Sequence, residues 1–352
     1  MIKMALRELC IHLTRNCNQK CRHCYYHAAP GQNTHMTLPL AQQIIKEASE
    51  SGVKRVTLQG GETFLYPYIR EICEYSKSLG LIVAVPTNGQ FISNKNIHWI
   101  QESVDIVFFS IHGLADYHDA FVELEGAFNR AVKSVEISVE HGIQTGILSS
   151  VSTENMHQIG GLATLFDQMG VDILGLLYHS EAGRGTEIKS VDPLEWERFM
   201  TRMKKVQPNL NHMRIRFETT RKLADDVLRP SSKFCGCLSL EKNICFVDTE
   251  GFIYPCSLAM DFPDFCYGHI TDRRLSDYFS SMSWEWARQK VELPEACTAC
   301  THLSICNGGC MVKRYARQAV DCQQGKYIPV CVLYPDIDVY EEISIKQREQ
   351  QL

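Results

Sequence analysis

Three cysteines close to the start of the numbering define the chemistry this chain could do. In the stretch LTRNCNQKCRHCYY, Cys17, Cys21 and Cys24 follow a C-x3-C-x2-C spacing just after a short apolar run. Three thiolates so near one another could ligate three irons of a cubane [4Fe–4S] cluster, and the run supplies no fourth ligand. One iron would then keep an open position, where a small molecule can bind and react. The alternative for such a loop is zinc. A second concentration lies downstream. Cys235, Cys237, Cys245, Cys256, Cys266, Cys297, Cys300, Cys306, Cys310, Cys322 and Cys331 make up eleven of the sixteen cysteines, and four of them form C-x2-C-x5-C-x3-C. A pair of zinc sites would use such C-x2-C knuckles too, but zinc cannot relay electrons and leaves the first loop unexplained.

These residues need elements to hold them. Leu6 to Leu13 reads as a strand that delivers the chain into the cysteine loop. A helix follows from Pro39 to Ser51, with Leu40, Ile44, Ile45 and Ala48 on one face. The alternation then repeats: strands at Val53–Leu58, Leu81–Val85, Asp105–Ile111, Ile143–Val151 and Asp172–Tyr178, helices at Tyr68–Leu79, Asn94–Glu102, Phe128–His141 and Met156–Met169. Strands alternating with helices imply a parallel sheet with right-handed crossovers. Six such units predict an α/β fold, a partial (β/α)6 TIM-like barrel, whose functional residues gather on the loops after the strands. Those loops carry Gly60-Gly61-Glu62, Thr87-Asn88-Gly89, Ser110 and His112, Ser149-Ser150, and Gly183-Arg184-Gly185. Between Asp192 and Arg229 the period is helical with one strand at Met213–Glu218, and a hairpin is expected at Phe252–Pro255 with Gly251 in its turn.

Composition narrows the classes. At 352 residues and 45% hydrophobic content the chain can build one large or two modest domains. A formal charge of −5 with Lys and Arg dispersed argues against a nucleic-acid or membrane-surface partner. No signal peptide and no membrane-length apolar run is present. A cytoplasmic location is expected, where the cysteines suit metals better than disulfides.

The two cysteine patterns resemble those of the radical S-adenosylmethionine (radical SAM) superfamily and of its SPASM extension. The resemblance implies three [4Fe–4S] clusters. Cys17, Cys21 and Cys24 would hold the one that binds SAM. Cys297, Cys300, Cys306 and Cys331 would hold an outer auxiliary cluster, and Cys237, Cys256 and Cys310 an inner one, with Cys235 or Cys245 as its fourth ligand or none. It also implies SAM contacts at Gly60, Gly61, Glu62, Asn88, Ser110, Ser150 and Arg184, the arginine approaching the SAM carboxylate. Thr63 stands where the family has proline, His112 where many relatives have aspartate, and Ser257 where sulfatase maturases carry a proposed aspartate base. The domains expected are the barrel over 1–190, a helical connector over 191–233, the SPASM domain over 234–335 and a tail over 336–352. The implied activity is reductive cleavage of SAM to a 5′-deoxyadenosyl radical that oxidatively modifies a peptide or protein. Formylglycine formation in sulfatases, trimming of tetrapyrrole side chains and a non-enzymatic electron carrier are the alternatives. An external donor such as flavodoxin or ferredoxin is expected, and, with the barrel beginning almost at residue 1, a separate leader-binding protein or the barrel itself would recognise a leader peptide.

Overall fold

The computed structural model describes residues 8–191, 193–217 and 244–281, together with Val312 and Tyr315. Its centre is one sheet whose strands are β1 (Glu8–His12), β2 (Arg55–Gln59), β3 (Ile82–Thr87), β4 (Ile106–Ser110), β5 (Gln144–Val151), β6 (Ile173–Tyr178), β7 (Arg214–Phe217), β8 (Ile244–Val247), β9 (Phe252–Tyr254) and β10 (Gly268–His269). The spatial order is β10-β9-β8-β1-β2-β3-β4-β5-β6-β7. Every pair from β8 through β1 to β7 is parallel, and β8-β9-β10 form an antiparallel meander at one edge. The helices that return the chain are α1 (Leu38–Glu50), α2 (Ile69–Ser78), α3 (Ile97–Ser103), α4 (Ala115–Val122), α5 (Ala127–Glu140), α6 (Ile159–Gln168) and α7 (Pro193–Val206), with α8 (Leu275–Ser281) after the meander.

The period-2 pattern explains which face does what. In β1 and β2, Leu9, Ile11, Val56 and Leu58 are fully buried and join Ile44, Ile45 and Ile72 of the flanking helices in one apolar core. The alternate residues pair across the other face in register: Glu8 with Arg55, Cys10 with Thr57, His12 with Gln59. That inner face is polar. Glu8 accepts from the Arg55 guanidinium and from Thr57 Oγ1, and His12 Nε2 lies 2.8 Å from Gln59 Nε2. The barrel interior is thus prewired for polar contacts, while the outer face carries the packing energy.

Two differences from the sequence-based expectation matter. The sheet extends beyond the six barrel strands: β7, the strand expected at Met213–Glu218, adds to β6, and β8, which was not foreseen, adds to β1. β7 is fixed by α6, whose Asp167 accepts from the backbone N–H groups of Asn211, His212 and Met213, each at 2.9 Å. Helix α4 was not foreseen at all. The expected hairpin with Gly251 in its turn is present, closed by Asp248 Oδ1 accepting from the N–H groups of Glu250, Gly251 and Phe252. No described helix is long and apolar enough to cross a membrane.

Candidate active site

The cysteine loop leaves the C-terminal end of β1 and is gripped from four sides. From β2 come the two glycines. Gly61 N–H donates to Thr14 O at 2.7 Å and Glu62 N–H to Asn16 O at 2.8 Å. A Cβ on Gly60 would lie 2.5 Å from Thr14 O, and one on Gly61 2.3 Å from Asn16 O, so only glycine allows this approach of two backbones. Glu62 is buried, and its carboxylate accepts from Thr87 Oγ1 (2.7 Å), Asn88 N (2.8 Å) and Phe64 N (3.0 Å), which locks the β2 and β3 loops together. Burial pushes that carboxyl up, against the pull of these bonds. Thr63 donates to Pro86 O at 2.7 Å, a link that a proline here could not make.

The second side is α4. Its last carbonyls, on Phe121 and Val122, accept from Arg22 N (3.0 Å) and Lys20 N (3.3 Å), so the loop itself satisfies the helix end. His23 stacks on Phe121 with ring centroids 4.7 Å apart. The third side is the β6 loop. Arg184 donates through Nε to Cys21 O at 3.0 Å and through Nη2 to Ala28 O at 2.7 Å, while Cys24 O accepts from Arg184 N at 3.1 Å. The arginine thus braces the loop backbone rather than standing apart for a ligand. A Cβ on Gly183, which has φ +55°, would lie 2.5 Å from Cys24 O. The fourth side is the β8–β9 turn and the segment after β9. Tyr26 is hydrogen-bonded to Thr249 of the turn at 3.4 Å, Tyr25 to Ser257, His27 lies 3.9 Å from Asp261, and Met260 packs against the cluster of Cys17, Tyr26 and Ala28. Cys256 therefore heads a segment that touches the loop directly.

Within this cradle burial and neighbouring thiols raise the cost of ionising Cys17 and Cys21. Burial pushes Cys17 up to about 12, and burial with Cys17 and Cys24 pushes Cys21 well above an ordinary thiol. Unmetallated, Cys17 and Cys21 stay protonated; a metal that displaces the protons is what would make them ligands. Sulfur-directed donors are in place: Gln19 N lies 3.4 Å and Asn88 Nδ2 3.9 Å from Cys17 Sγ. Asn88 Nδ2 also donates to Asn18 Oδ1 at 2.7 Å. A soft S3 donor set fed by N–H groups suits an iron–sulfur cluster.

Beside the loop lies a histidine cluster that the sequence showed only at His112. His112 is buried, and its Nδ1 accepts from Ser150 N at 3.1 Å. Its own N–H donates to His118 Nδ1 at 3.2 Å, and its ring sits 4.3 Å from that of His23. Both Nδ1 atoms accept, which makes His112 and His118 neutral Nε2–H tautomers. Burial and neighbouring imidazoles hold His112 far below the usual range, and burial holds His118 at about 4 and His23 at about 3. Ser110 closes β4, half-buried, and Ser150 lies near the end of β5 with its Oγ 3.5 Å from His179 Nδ1.

The structure thus gathers Gly60, Gly61, Glu62, Asn88 and Arg184 directly onto the loop that carries Cys17, Cys21 and Cys24. Gln19, Tyr25 and His118 join them without having been singled out. Cys245 occupies β8 opposite Leu9, wholly buried in the apolar core, and Cys10 and Cys73 are buried as well. Cys235, Cys237, Cys297, Cys300, Cys306, Cys310, Cys322 and Cys331 lie outside the described residues, as does the tail.

Parallel sheet, polar barrel interior and a three-thiol loop at the strand ends define a radical SAM protein, and the comparisons agree. Residues 11–166 match the radical SAM superfamily model and residues 235–301 that of the SPASM iron–sulfur cluster-binding domain; the chain belongs to the radical SAM superfamily and carries this extension. It is an enzyme whose cofactors are SAM and [4Fe–4S] clusters. An AdoMet-dependent heme synthase of Methanosarcina barkeri is 25% identical, over 94% of this chain and 97% of that protein. The antilisterial bacteriocin subtilosin biosynthesis protein AlbA of Bacillus subtilis is 26% identical over 86% of this chain and 66% of AlbA. The crystal structure of Streptococcus suis SuiB bound to S-adenosylmethionine shares the fold, with a TM-score of 0.75 at 19% identity over 89% of this chain and 75% of SuiB.

Proposed function

We propose that Cys17, Cys21 and Cys24 hold the SAM-binding cluster and that the enzyme oxidatively modifies a peptide or protein substrate, as a maturase of ribosomally made peptides. Reduced and loaded with SAM, that centre would supply a 5′-deoxyadenosyl radical able to take a hydrogen atom from substrate. The chain's own part is to hold the loop rigid from four sides and to keep bulk water from the buried Cys17. SAM would lie across the strand ends, over Gly60, Gly61, Asn88, Ser110 and Ser150, whereas Glu62 and Arg184 act through the loop they fix.

The observation that carries an oxidative outcome is the seam from Tyr25 to Ser257. A residue next to Cys256 touches a residue next to Cys24, so an electron leaving the substrate has a short path toward the auxiliary domain. There Cys297, Cys300, Cys306 and Cys331 would form the outer site, and Cys237, Cys256 and Cys310 the inner one. With Cys245 in the core, Cys235 is the candidate for its fourth ligand. The same seam counts against sulfatase maturation: Ser257 is bonded to a phenol that burial keeps protonated, and this pair offers no base. An external flavodoxin- or ferredoxin-like donor and a separate leader-binding protein complete the reading. Tetrapyrrole modification is a second reading, supported by the heme synthase whose length this chain matches almost throughout.

The test is anaerobic reconstitution followed by dithionite and SAM. Wild type should release 5′-deoxyadenosine, and replacing Cys17, Cys21 and Cys24 together by Ala should abolish it while about eight irons remain. Product that survives the triple replacement sinks the assignment. Mass loss from a candidate precursor peptide, set against mass loss from an added tetrapyrrole, separates the two substrate classes.

A further inference from the structure

Gln19 lies between the first two cysteines of the loop, and it is 3% exposed. Its backbone N–H points at Cys17 Sγ (3.4 Å), and its Oε1 accepts from the Cys21 thiol at 3.5 Å. Its Nε2, also buried, has no hydrogen-bond partner among the described residues. An amide N–H buried without an acceptor costs about 1–3 kcal/mol, so a side chain held this way is built for something besides the metal-free loop.

The missing acceptor follows from the chemistry of Cys21. Once bound to iron, its sulfur has lost the proton it donates and has only lone pairs to offer. Oε1 would then face those lone pairs. A half-turn of the carboxamide exchanges oxygen for nitrogen at constant shape and puts an N–H on the sulfur. The contact that is weakest with a thiol becomes charge-assisted with a thiolate.

We propose that Gln19 is a positioning residue that sets the reduction potential of the first cluster, through an N–H donated from its carboxamide to the iron-bound Cys21 sulfur. Its own backbone N–H on Cys17 and Asn88 Nδ2 on the same sulfur act in the same sense. Donors at the sulfurs stabilise the electron-richer state more than the oxidised one, so they raise the potential. A residue that only fills space would have no such effect. The inference rests on the reading that Cys17, Cys21 and Cys24 hold the SAM-binding cluster.

The experiment is an EPR-monitored redox titration of the fully reconstituted enzyme, following the signal that SAM perturbs, in wild type, Gln19→Leu and Gln19→Glu. Neither replacement side chain carries an N–H, while the backbone N–H on Cys17 is kept. In both, the ratio of reduced to oxidised cluster at a fixed potential should fall about tenfold, a shift of about 59 mV to more negative values for a one-electron couple. An unchanged potential at unchanged iron content overturns the proposal. Should both variants fail to assemble the cluster, pulsed EPR of wild type with side-chain 15N-labelled glutamine decides: a nitrogen coupling with an exchangeable proton supports the N–H···S bond, and its absence overturns it. If wild type itself shows no SAM-perturbed signal, the reading of the cysteine loop falls first, and this inference with it.

Discussion

His118 offers a test of the buried histidine cluster that does not depend on turnover. It is wholly buried in α4 and held neutral, with its pKa lowered to about 4 by burial, and His12 behind the cysteine loop is likewise held at about 3. An unfolded chain protonates both near 6.5. Below that value the unfolded state takes up protons the folded state refuses, so stability is complete above pH 6.5 and is lost as pH falls toward 4. Between pH 7.5 and 5.5 each histidine costs about 1.4 kcal/mol, and the two together about 3 kcal/mol of a total on the order of 5–15 kcal/mol. His112 acts in the same direction. The perturbation is His118→Gln, whose carboxamide oxygen can still accept from His112 N. Equilibrium urea unfolding of the anaerobic protein at a series of pH values should show the variant losing about 1.4 kcal/mol less than wild type over that interval, whatever its stability at pH 7.5. Parallel pH profiles for the two proteins would refute the argument, because a histidine free to protonate in the fold contributes no such slope.

Two further outcomes follow from the cradle. Gly61→Ala places a Cβ 2.3 Å from Asn16 O and 2.8 Å from Arg15 O, backbone atoms with nowhere to go. The hydrogen bonds to Thr14 and Asn16 should break, at about 2–3 kcal/mol, and iron content should drop by about four per chain with SAM no longer perturbing the EPR signal. Arg184→Lys keeps the charge and loses the fork that spans Cys21 O and Ala28 O. Release of the first cluster's iron to a ferrous chelator should quicken by about 5- to 30-fold, from about 1–2 kcal/mol lost, with auxiliary iron unaffected; equal release rates would contradict the brace.

How much of this was legible beforehand depends on the range of the interaction involved. The alternation of strands and helices through Tyr178 is written in local periodicity, and each expected strand lies within about two residues of an observed one. The cysteine spacing and the Gly-Gly-Glu turn are local too. What the sequence hid is long-range. Arg214–Phe217 was readable as a strand, but its place beside β6 depends on Asp167, more than forty residues earlier. Ile244–Val247 looked like part of a cysteine-rich region because of Cys245, yet its neighbour is Leu9. α4 is eight residues long, ADYHDAFV, too short for its period to stand out, and with it His118 and the shelf under Lys20 and Arg22 were lost. Arg184 was expected to approach the SAM carboxylate; its bonds to Cys21 O and Ala28 O were not legible, because backbone carbonyls carry no residue signature.

The insertion of β8 beside β1 has a consequence for how the protein is made. The second neighbour of β1 is translated more than two hundred residues after β1 itself, ~10 s or more at usual elongation rates. Until then the nascent chain carries an open strand edge, and Tyr25, Tyr26 and His27 lack Ser257, Thr249 and Asp261, all of which lie downstream of β8. The cradle around the cysteine loop is therefore finished only after β8 and the residues that follow it have been made. A chaperone that shields the β1 edge in the interval would serve the assembly of the metal centre as much as the folding of the chain.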